Sequence, residues 1–302
     1  MRLTIHIQPR SPLVLPLNYQ EVLQSFIYDH IPDKLFTYFL HESGYVYRRQ
    51  KFKLFTFSRL LGRGKVSLRQ KKIRFERQLS WQISSCLPGF IKELGQSLLI
   101  KDYYYLNGQR FKIGGLHYET VTINQSACVV QMLSPITVHN TFVSDTGHKS
   151  TQYFSPYDPA FVHLINQNLA QKYFACYGKP LRRKIQITPL HVSCRDRVIT
   201  RFKGLMIEAW NGLYLLEGDP KTLTFACAAG LGGRNSSGFG LPKKVTVSAG
   251  TKQKPRIFVP DPNVHNGRQG FRYQARPPHA EKWNEERSHS RRNQLFYNSD
   301  KY

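Results

Sequence analysis

The stretch with the strongest chemical signal runs from residue 230 to 240 and reads G-L-G-G-R-N-S-S-G-F-G. Glycine permits positive φ and lets another molecule approach the backbone N–H groups, and the planar guanidinium of Arg234 suits phosphate. Glycine-rich loops are also common as plain turns, so both interpretations stay open on this stretch alone. No G-K-[ST] ending follows, which argues against a P-loop nucleotide site. The candidate phosphate-contacting residues are Gly230, Gly232, Gly233, Arg234, Asn235, Ser236, Gly238 and Gly240.

The charge balance of the chain favours a polyanionic partner. The 302 residues include 44 Lys and Arg against 19 Asp and Glu, a formal charge of +25. Such a field attracts nucleic acid in a salt-sensitive way. Two dense basic runs are candidate binding surfaces, and a further pair follows the second: Arg63, Lys65, Arg69, Lys71, Lys72 and Arg74; Arg182, Arg183 and Lys184; Arg195 and Arg197. Each run alone is typical of a solvated face, whereas the runs together with the overall charge favour a shared nucleic-acid groove.

Several classes of protein are disfavoured by composition. The five cysteines are an odd number without a C-x-x-C pair, which argues against a disulfide framework or zinc site and for a reducing cytosol. No His, Asp and Glu residues cluster at metal-ligand spacing, and no long apolar run suggests a membrane partner. The N-terminus reads as a strand with Leu3, Ile5 and Ile7 alternating, and not as a signal peptide. We therefore expect a cytoplasmic protein.

The first half of the chain shows the periodicities of strands and helices in the order β-α-β-β-α-β. Asn18 is a predicted N-cap with Glu21 in capping-box position, and a second short helix passes His41 and stops near Gly44. Strands are predicted at 3–7, 53–58, 72–75, 79–84, 103–106 and 110–113, with a third helix at 88–100. This order is the ferredoxin-like arrangement.

The second half repeats that plan. Strand-like runs include Val121, Ile123 and residues 129–132. A helix then begins with Asp158 as N-cap and Pro159 at its first position, and it stops at Gly178. Strands are predicted at 184–187, 198–210, 213–216 and 243–247, with a helix from 219 to 229 immediately before the glycine-rich loop. The fold class is therefore α+β: a ferredoxin-like (RRM-like) domain at 1–118, a second at 119–247, and a basic tail at 248–302 that is typical of disorder in isolation.

With these elements in place, residues 1–247 resemble the CRISPR-associated endoribonucleases of the Cas6 type, which cut repeat RNA into guide RNAs. The loop is similar to the C-terminal family signature G-φ-G-x-x-x-x-x-G-F-G. The other matching segments are F-I-Y at 26–28, F-L-H-E at 39–42, K-L-F-T-F-S at 53–58, P-I-T-V at 135–138 and Y-F-A-C-Y-G-K-P at 173–180. The tail after residue 247 departs from the family pattern.

The resemblance implies a metal- and cofactor-independent cleavage in which the 2′-hydroxyl attacks the adjacent phosphate, leaving a 2′,3′-cyclic phosphate and a 5′-hydroxyl. The family's motif positions carry over to Tyr28, His41 and Lys53. Histidine suits proton transfer near neutral pH, and lysine suits stabilisation of phosphorane charge. His41 would be the base or the acid, Lys53 would stabilise charge or assist proton transfer, and Tyr28 would position the 2′-hydroxyl or the phosphate. Arg63, Lys65, Arg69, Lys72, Arg182, Arg183 and Lys184, with the loop, would bind the repeat RNA.

Two other function classes stay open. One is a non-catalytic RNA-binding paralogue, or a subunit of an effector complex with other Cas proteins, that only holds guide RNA. The other is a DNA-binding scaffold subunit of a larger CRISPR complex. His41 in its motif favours the enzyme. The sequence leaves the repeat sequence and the oligomeric state undefined.

Overall fold

The structure is a computed structural model that describes residues 1–143, 147 and 149–245. The predicted basic tail at 248–302 and the end of the predicted last strand lie outside the described residues. All described residues belong to one compact unit of the chain.

The first 119 residues form ten strands and three helices. In chain order they are β1 (Arg2–Pro9), β2 (Leu13–Pro16), α1 (Gln20–Asp29), α2 (Lys34–Glu42), β3 (Tyr45–Tyr47), β4 (Gln50–Phe52), β5 (Phe55–Phe57), β6 (Gly64–Ser67), β7 (Lys72–Phe75), β8 (Leu79–Ser85), α3 (Pro88–Ser97), β9 (Tyr104–Leu106) and β10 (Gln109–Glu119).

The main sheet of this half has the strand order β5-β8-β1-β10-β9, and all its pairs are antiparallel. The path β1-α1-β5-β8-α3-β10 is the predicted β-α-β-β-α-β arrangement, with β9 added at one edge and α2 following α1. Alternation along β1 buries Leu3, Ile5 and Ile7 in the core because successive side chains of a strand point to opposite faces. The basic run at 63–74 lies on a separate small sheet, β2-β7-β6.

Residues 127–244 contain a second set of elements. They are β11 (Ala127–Met132), β12 (His139–Val143), β13 (Lys149–Tyr153), α4 (Pro159–Tyr177), β14 (Gln186–Leu190), β15 (Arg197–Phe202), β16 (Leu205–Trp210), β17 (Leu213–Glu217), α5 (Pro220–Ala229) and β18 (Pro242–Lys244). The sheet order β14-β17-β11-β18 gives the same topology through β11-α4-β14-β17-α5-β18. The tandem ferredoxin-like fold is therefore confirmed, with two hairpins, β12–β13 and β15–β16, inserted into the second copy.

Each copy has its own hydrophobic cluster. Trp81 and Phe111 lie in the first cluster, and Phe161 and Tyr214 lie in the second. The division near residue 118 stays a prediction. None of the helices among the described residues is long and apolar enough to cross a membrane.

The predicted cap of α1 is wrong. Tyr19 occupies the N-cap position and makes no side-chain cap hydrogen bond. The Asn18 amide nitrogen instead donates to the Glu21 carboxylate at 3.3 Å. The side chain of Asn18 therefore bonds to the side chain of Glu21 and not to the unpaired backbone N–H groups of the first helical turn. Asp158 and Gly178 do occupy the predicted ends of α4, and Gly178 has a left-handed φ of 67°. The Asp158 side chain, however, makes no cap hydrogen bond and accepts instead from the Ser155 N–H.

Two predicted strands of the second half also differ from the structure. The predicted strand at 198–210 is the hairpin β15–β16, which turns at Lys203 and Gly204 with φ of 47° and 80°. Two consecutive positive φ values are what a two-residue hairpin turn of type I′ requires. Val121 and Ile123 precede β11 and are not in a strand, and the Ile123 N–H is bonded to the Thr224 hydroxyl at 2.9 Å.

Candidate active site

Helix α2 carries His41 to one end of the first half. Its start is fixed by Asp33, whose carboxylate accepts from the N–H groups of Leu35 and Phe36 at 2.8 and 3.1 Å. Such an N-cap stabilises a helix by about 1 kcal/mol. The helix ends at Glu42, and the backbone turns back at Gly44, which has a φ of 61°.

The turn at Gly44 brings the strand that follows against the end of α2. A Cβ at this glycine would lie 2.7 Å from the Phe52 carbonyl oxygen and 3.3 Å from the Lys53 side chain. A residue with a side chain would therefore force the two segments apart. In this close arrangement the Lys53 Nζ donates to the carbonyl oxygen of His41 at 2.8 Å.

The imidazole of His41 is exposed and is oriented by its neighbour. Its Nδ1 lies 2.8 Å from a carboxylate oxygen of Glu42, and 65% of its side chain is accessible. The hydrogen bond from His41 lowers the pKa of the Glu42 carboxyl, so this group is an anion that orients the imidazole. With Nδ1 engaged, Nε2 is the ring nitrogen left to exchange a proton with another molecule.

Tyr28 lies beside His41. The two ring centroids are 6.0 Å apart in an edge-to-face arrangement, and the Tyr28 ring also contacts Phe55 at 6.1 Å. Burial raises the pKa of Tyr28 to about 12. The phenol therefore keeps its proton near neutral pH and has an O–H that can donate a hydrogen bond.

Lys53 is partly withdrawn from solvent. Burial, followed by repulsion from Lys51, lowers the pKa of its ammonium group. A lowered pKa makes an ammonium group a better proton donor while it still carries a positive charge. The structure thus brings the three predicted residues together: the phenol of Tyr28, the imidazole of His41, which can accept a proton, and the cation of Lys53.

The predicted basic runs lie elsewhere on the surface. Arg63, Lys65, Arg69 and Lys72 are exposed on and beside the β6–β7 hairpin, where Lys65 and Arg74 also form ion pairs with Glu76 at 3.3 and 3.5 Å. Arg182, Arg183 and Lys184 are exposed between α4 and β14. In the described part of the chain, neither run is hydrogen bonded or ion paired to Tyr28, His41 or Lys53.

The glycine-rich loop (residues 230–240) is mostly buried. Six of its backbone N–H groups donate to carbonyl oxygens within the protein, those of Gly230, Leu231, Gly233, Ser237, Gly238 and Gly240. The expectation that these N–H groups face RNA is therefore wrong, because each already has a partner. The Asn235 side-chain amide is buried as well and donates to the carbonyls of Leu231 and Phe239, both at 3.1 Å. Contacts to RNA through the half-buried Gly233, Arg234 and Ser236 stay a prediction.

The loop packs against the first half of the chain. Thr56 donates its hydroxyl to the Phe239 carbonyl at 2.9 Å, and the Gln24 amide donates to the Ser236 carbonyl at 2.6 Å. A Cβ at Gly238 would lie 2.6 Å from the Phe57 ring. These contacts explain the bare glycine backbone, since the loop forms the seam between the two ferredoxin-like copies, beside the helix α1 that carries Tyr28.

Lys172 is a buried lysine beneath the glycine-rich loop that the sequence did not reveal. It lies on the inner face of α4, fully buried, and its Nζ donates to the carbonyls of Gly230 and Gly232 at 2.8 and 3.0 Å. Burial lowers its pKa to about 7. A signal of this burial is present in the sequence, because Lys172 follows Phe161, Ile165 and Leu169 at helical spacing on the apolar face of α4. A cation on that face needs hydrogen-bond acceptors such as backbone carbonyls.

His139 is a second residue that the sequence did not reveal. It opens β12 directly after the P-I-T-V motif, and a Cβ at Gly233 would lie 3.0 Å from its ring. Burial, and then the nearby charge of Arg234, lowers its pKa to about 4, so the imidazole is neutral at neutral pH. Within the described residues, no three His, Cys, Asp or Glu side chains are placed to hold a metal ion.

Comparison with known proteins gives consistent matches along the chain. Residues 14–116 match the family described as "CRISPR-associated protein Cas6, N-terminal", and residues 118–243 match "CRISPR associated protein Cas6, C-terminal". The chain is 24% identical over 251 residues to the "CRISPR-associated endoribonuclease Cas6 1" of Methanocaldococcus jannaschii, covering 80% of this chain and 91% of that protein.

Two further matches involve Pyrococcus furiosus. The chain is 28% identical over 277 residues to its "CRISPR-associated endoribonuclease Cas6", covering 84% of this chain and 95% of that protein. The fold is similar to a solved structure described as "Characterization of a Cas6-related gene from Pyrococcus furiosus", with a TM-score of 0.70 at 19% identity, covering 81% of this chain and 98% of that chain.

Proposed function

This chain belongs to the Cas6 family of CRISPR-associated proteins, and from that premise we propose that it is an endoribonuclease that cuts CRISPR repeat RNA in precursor transcripts to give guide RNAs. The observation that carries the proposal is the convergence of Tyr28, His41 and Lys53 at the end of α2. Tyr28 supplies a phenolic donor, His41 a proton acceptor and Lys53 a cation. Such groups can transfer protons and stabilise charge during cleavage of an RNA phosphodiester.

The proposed reaction is an internal transesterification. The 2′-hydroxyl oxygen attacks the adjacent phosphorus while the bond from phosphorus to the 5′-oxygen breaks. The 2′-hydroxyl proton passes to a base, and the 5′-oxygen takes a proton from an acid. The products are a 2′,3′-cyclic phosphate and a 5′-hydroxyl, and the reaction needs no group beyond side chains able to move two protons and stabilise the phosphorane.

We assign His41 as the general base. Tyr28 keeps its proton because burial raises its pKa to about 12, and Lys53 is oriented as a donor toward the His41 carbonyl. His41 is the member of the group with a ring nitrogen, Nε2, to accept the proton while Glu42 orients Nδ1, and Glu42 would stabilise the imidazolium that results. Lys53 would stabilise phosphorane charge and supply the leaving-group proton, and Tyr28 would orient the phosphate.

RNA would be held by Arg234 at the half-buried edge of the glycine-rich loop and by the basic runs at 63–74 and 182–184. Their positive charge supports binding of the phosphate backbone, and only a few contacts would read sequence. On this proposal the protein works in the prokaryotic cytoplasm, and residues 1–118 and 119–247 act as two domains of one RNA-binding surface. Other Cas proteins of an effector complex are proposed partners for the RNA after cleavage.

The test uses RNA with the repeat of the host's own array, incubated in EDTA. We expect the wild-type protein to cut at one site and His41→Ala to be slower by about a hundredfold or more. His163→Ala is the matched control, since His163 is exposed on α4 and lies outside the site. Binding without cleavage by the wild type would favour the non-catalytic paralogue. Cleavage undiminished in His41→Ala would remove His41 from the mechanism.

A further inference from the structure

Four of the five cysteines lie in two side-chain pairs. The Sγ atoms of Cys86 and Cys176 are 3.5 Å apart, and Cys128 is hydrogen bonded to Cys227. The members of the first pair are 90 residues apart in the sequence, so the fold alone brings them together. Thiols this close can either pack as small apolar groups or be oxidised to a disulfide bond.

The Cys86–Cys176 pair lies at the contact between the two ferredoxin-like copies. Cys86 directly follows β8 of the first copy, and Cys176 lies in the last turn of α4 in the second. Both residues are half-buried, whereas Cys128 and Cys227 are buried within the second copy. A small oxidant in solution can therefore reach the first pair more readily than the second.

The environment of the pair distinguishes the two thiols. The hydrogen bond from the Cys86 thiol lowers the pKa of the Cys176 thiol, while burial acts in the opposite direction. The same hydrogen bond, together with burial, raises the pKa of the Cys86 thiol. Since the thiolate is the reactive form of cysteine, Cys176 is the sulfur that attacks an oxidant first, and Cys86 is the sulfur that completes the bond.

The two sulfur atoms need only a small movement to bond. A disulfide has an S–S distance of about 2.05 Å, so each sulfur has to move by less than about 1 Å from the 3.5 Å contact. A displacement of this size is within the amplitude of ordinary thermal motion in a folded protein. The bond can therefore form without a rearrangement of the fold.

A bond at this position would connect α4 to the part of the first copy that carries the candidate active site. Two residues before Cys176, the ring of Phe174 packs on Tyr47 of β3 with the ring centroids 4.8 Å apart. The β3–β4 hairpin lies in the chain between His41 and Lys53. The disulfide would thus add a covalent link beside a contact that is otherwise non-covalent.

We propose that Cys86 and Cys176 form a reversible disulfide bond that crosslinks the two ferredoxin-like copies under oxidising conditions. The oxidant is a small-molecule disulfide of the glutathione class. Disulfides of cytosolic proteins are usually transient, which agrees with a bond that forms and is reduced again. The inference is independent of the proposed function, because no step of the RNA chemistry involves either thiol.

The reaction is a thiol–disulfide exchange in two steps. The Cys176 thiolate attacks one sulfur of the oxidant, whose S–S bond breaks and releases one small thiolate, and a mixed disulfide remains on Cys176. The Cys86 thiol then loses its proton and attacks the Cys176 sulfur, which releases the second small thiolate. The protons lost by the two cysteines go to the two small thiolates. Two cysteine thiols are thus oxidised to one disulfide, while the oxidant is reduced to two thiols.

The test is the oxidation of the full chain by glutathione, with Cys194→Ser as the reference protein. Cys194 is exposed and would otherwise carry a mixed disulfide of its own. In oxidised glutathione the reference protein should lose two of its four remaining thiols to alkylation, and mass spectrometry should find the peptides of Cys86 and Cys176 joined. Closing a loop of 90 residues should raise the melting temperature by about 10 °C, and dithiothreitol should reverse both changes.

Two variants of the reference protein control the assignment. Cys176→Ser should form no crosslink, and its melting temperature should not rise in oxidised glutathione. Cys128→Ser removes a thiol of the buried pair and should still form the crosslink. Thermal melting in dithiothreitol checks that each variant folds, and Cys86→Ser replaces Cys176→Ser if the latter does not fold.

Three results would overturn the proposal. A mixed disulfide on Cys176 that never passes to Cys86 would show that the two sulfurs cannot bond. Thiols that stay free in oxidised glutathione would show that the oxidant does not react with the pair. A crosslink without a rise in melting temperature would show that the bond does not hold the two copies together.

Discussion

Replacing Lys172 by methionine removes the buried ammonium group that holds the glycine-rich loop. The Nζ donates to the carbonyls of Gly230 and Gly232 at 2.8 and 3.0 Å. A buried acceptor left without its partner costs about 1–3 kcal/mol. The cost of burying a cation opposes the stabilisation that these hydrogen bonds provide. This cost is the reason that the pKa of Lys172 is lowered to about 7.

These two terms separate with pH. Between about pH 7 and the ordinary lysine pKa near 10.4, the unfolded chain holds the Lys172 proton and the folded chain does not. The free energy of unfolding therefore rises with pH in this window, by up to about 1.4 kcal/mol per pH unit. Below pH 7 both states are protonated, and the penalty of the buried cation is fully present. We expect the stability lost in Lys172→Met, relative to wild type, to grow by roughly 2–3 kcal/mol from pH 7 to pH 9.

Urea unfolding at pH 7, 8 and 9 measures this difference, with the fluorescence of the buried Trp81 and Trp210 as the probe. Lys179→Met, at an exposed lysine just beyond the same helix, is the control and should show no such trend. A difference between Lys172→Met and wild type that is the same at all three pH values would refute the reasoning. The ammonium would then not be buried in a site that disfavours its charge.

Three further predictions concern the loop and the catalytic group. Gly240→Ala should abolish folding, because a Cβ there would lie 1.9 Å from the Leu231 carbonyl oxygen. The measurement is the loss of soluble protein that melts cooperatively. Gly108→Ala is the control, since Gly108 also has a positive φ but open space around it, and this variant should fold with a free energy of unfolding lower by about 1 kcal/mol. Tyr28→Phe keeps the ring and removes the phenol, so the single-turnover cleavage rate should fall about tenfold or more with Kd unchanged, and an unchanged rate would show that the phenol is idle. Lys53→Met should reduce the cleavage rate by about a hundredfold, while Lys53→Arg, which keeps the cation, should recover part of it; equal rates in the two variants would argue against charge stabilisation.

The fold could be predicted from sequence wherever local pattern and tertiary structure agree. Alternation in β1 and the Pro159 and Gly178 signals of α4 depend on neighbouring residues only, and they are correct. The hairpin at 198–210 is predicted as one strand because apolar and β-branched residues are frequent on both sides of its turn. The Lys203-Gly204 pair was the available sign of the turn, since glycine readily takes the positive φ that the second turn position needs.

The candidate site divides in the same way. Tyr28, His41 and Lys53 came from a family motif, whereas their proximity depends on the turn at Gly44 and on the contact of α1 with α2, which no local pattern encodes. Lys172 was missed because a lysine on an amphipathic helix usually extends its charge to solvent. The packing of the glycine-rich loop against the first half was missed because a sequence rich in glycine and serine is the same in both settings. It is typical of an exposed loop and also of a buried contact where two backbones approach closely.

The most direct measurement uses repeat RNA in which the single nucleotide before the scissile phosphate carries a 2′-deoxy sugar. Attack by the 2′-hydroxyl predicts that this RNA binds with the affinity of the unmodified repeat and is not cut, and that the unmodified repeat yields a 2′,3′-cyclic phosphate and a 5′-hydroxyl. Cleavage of the deoxy-substituted RNA at the normal rate would contradict the mechanism, because the nucleophile would then have to come from elsewhere.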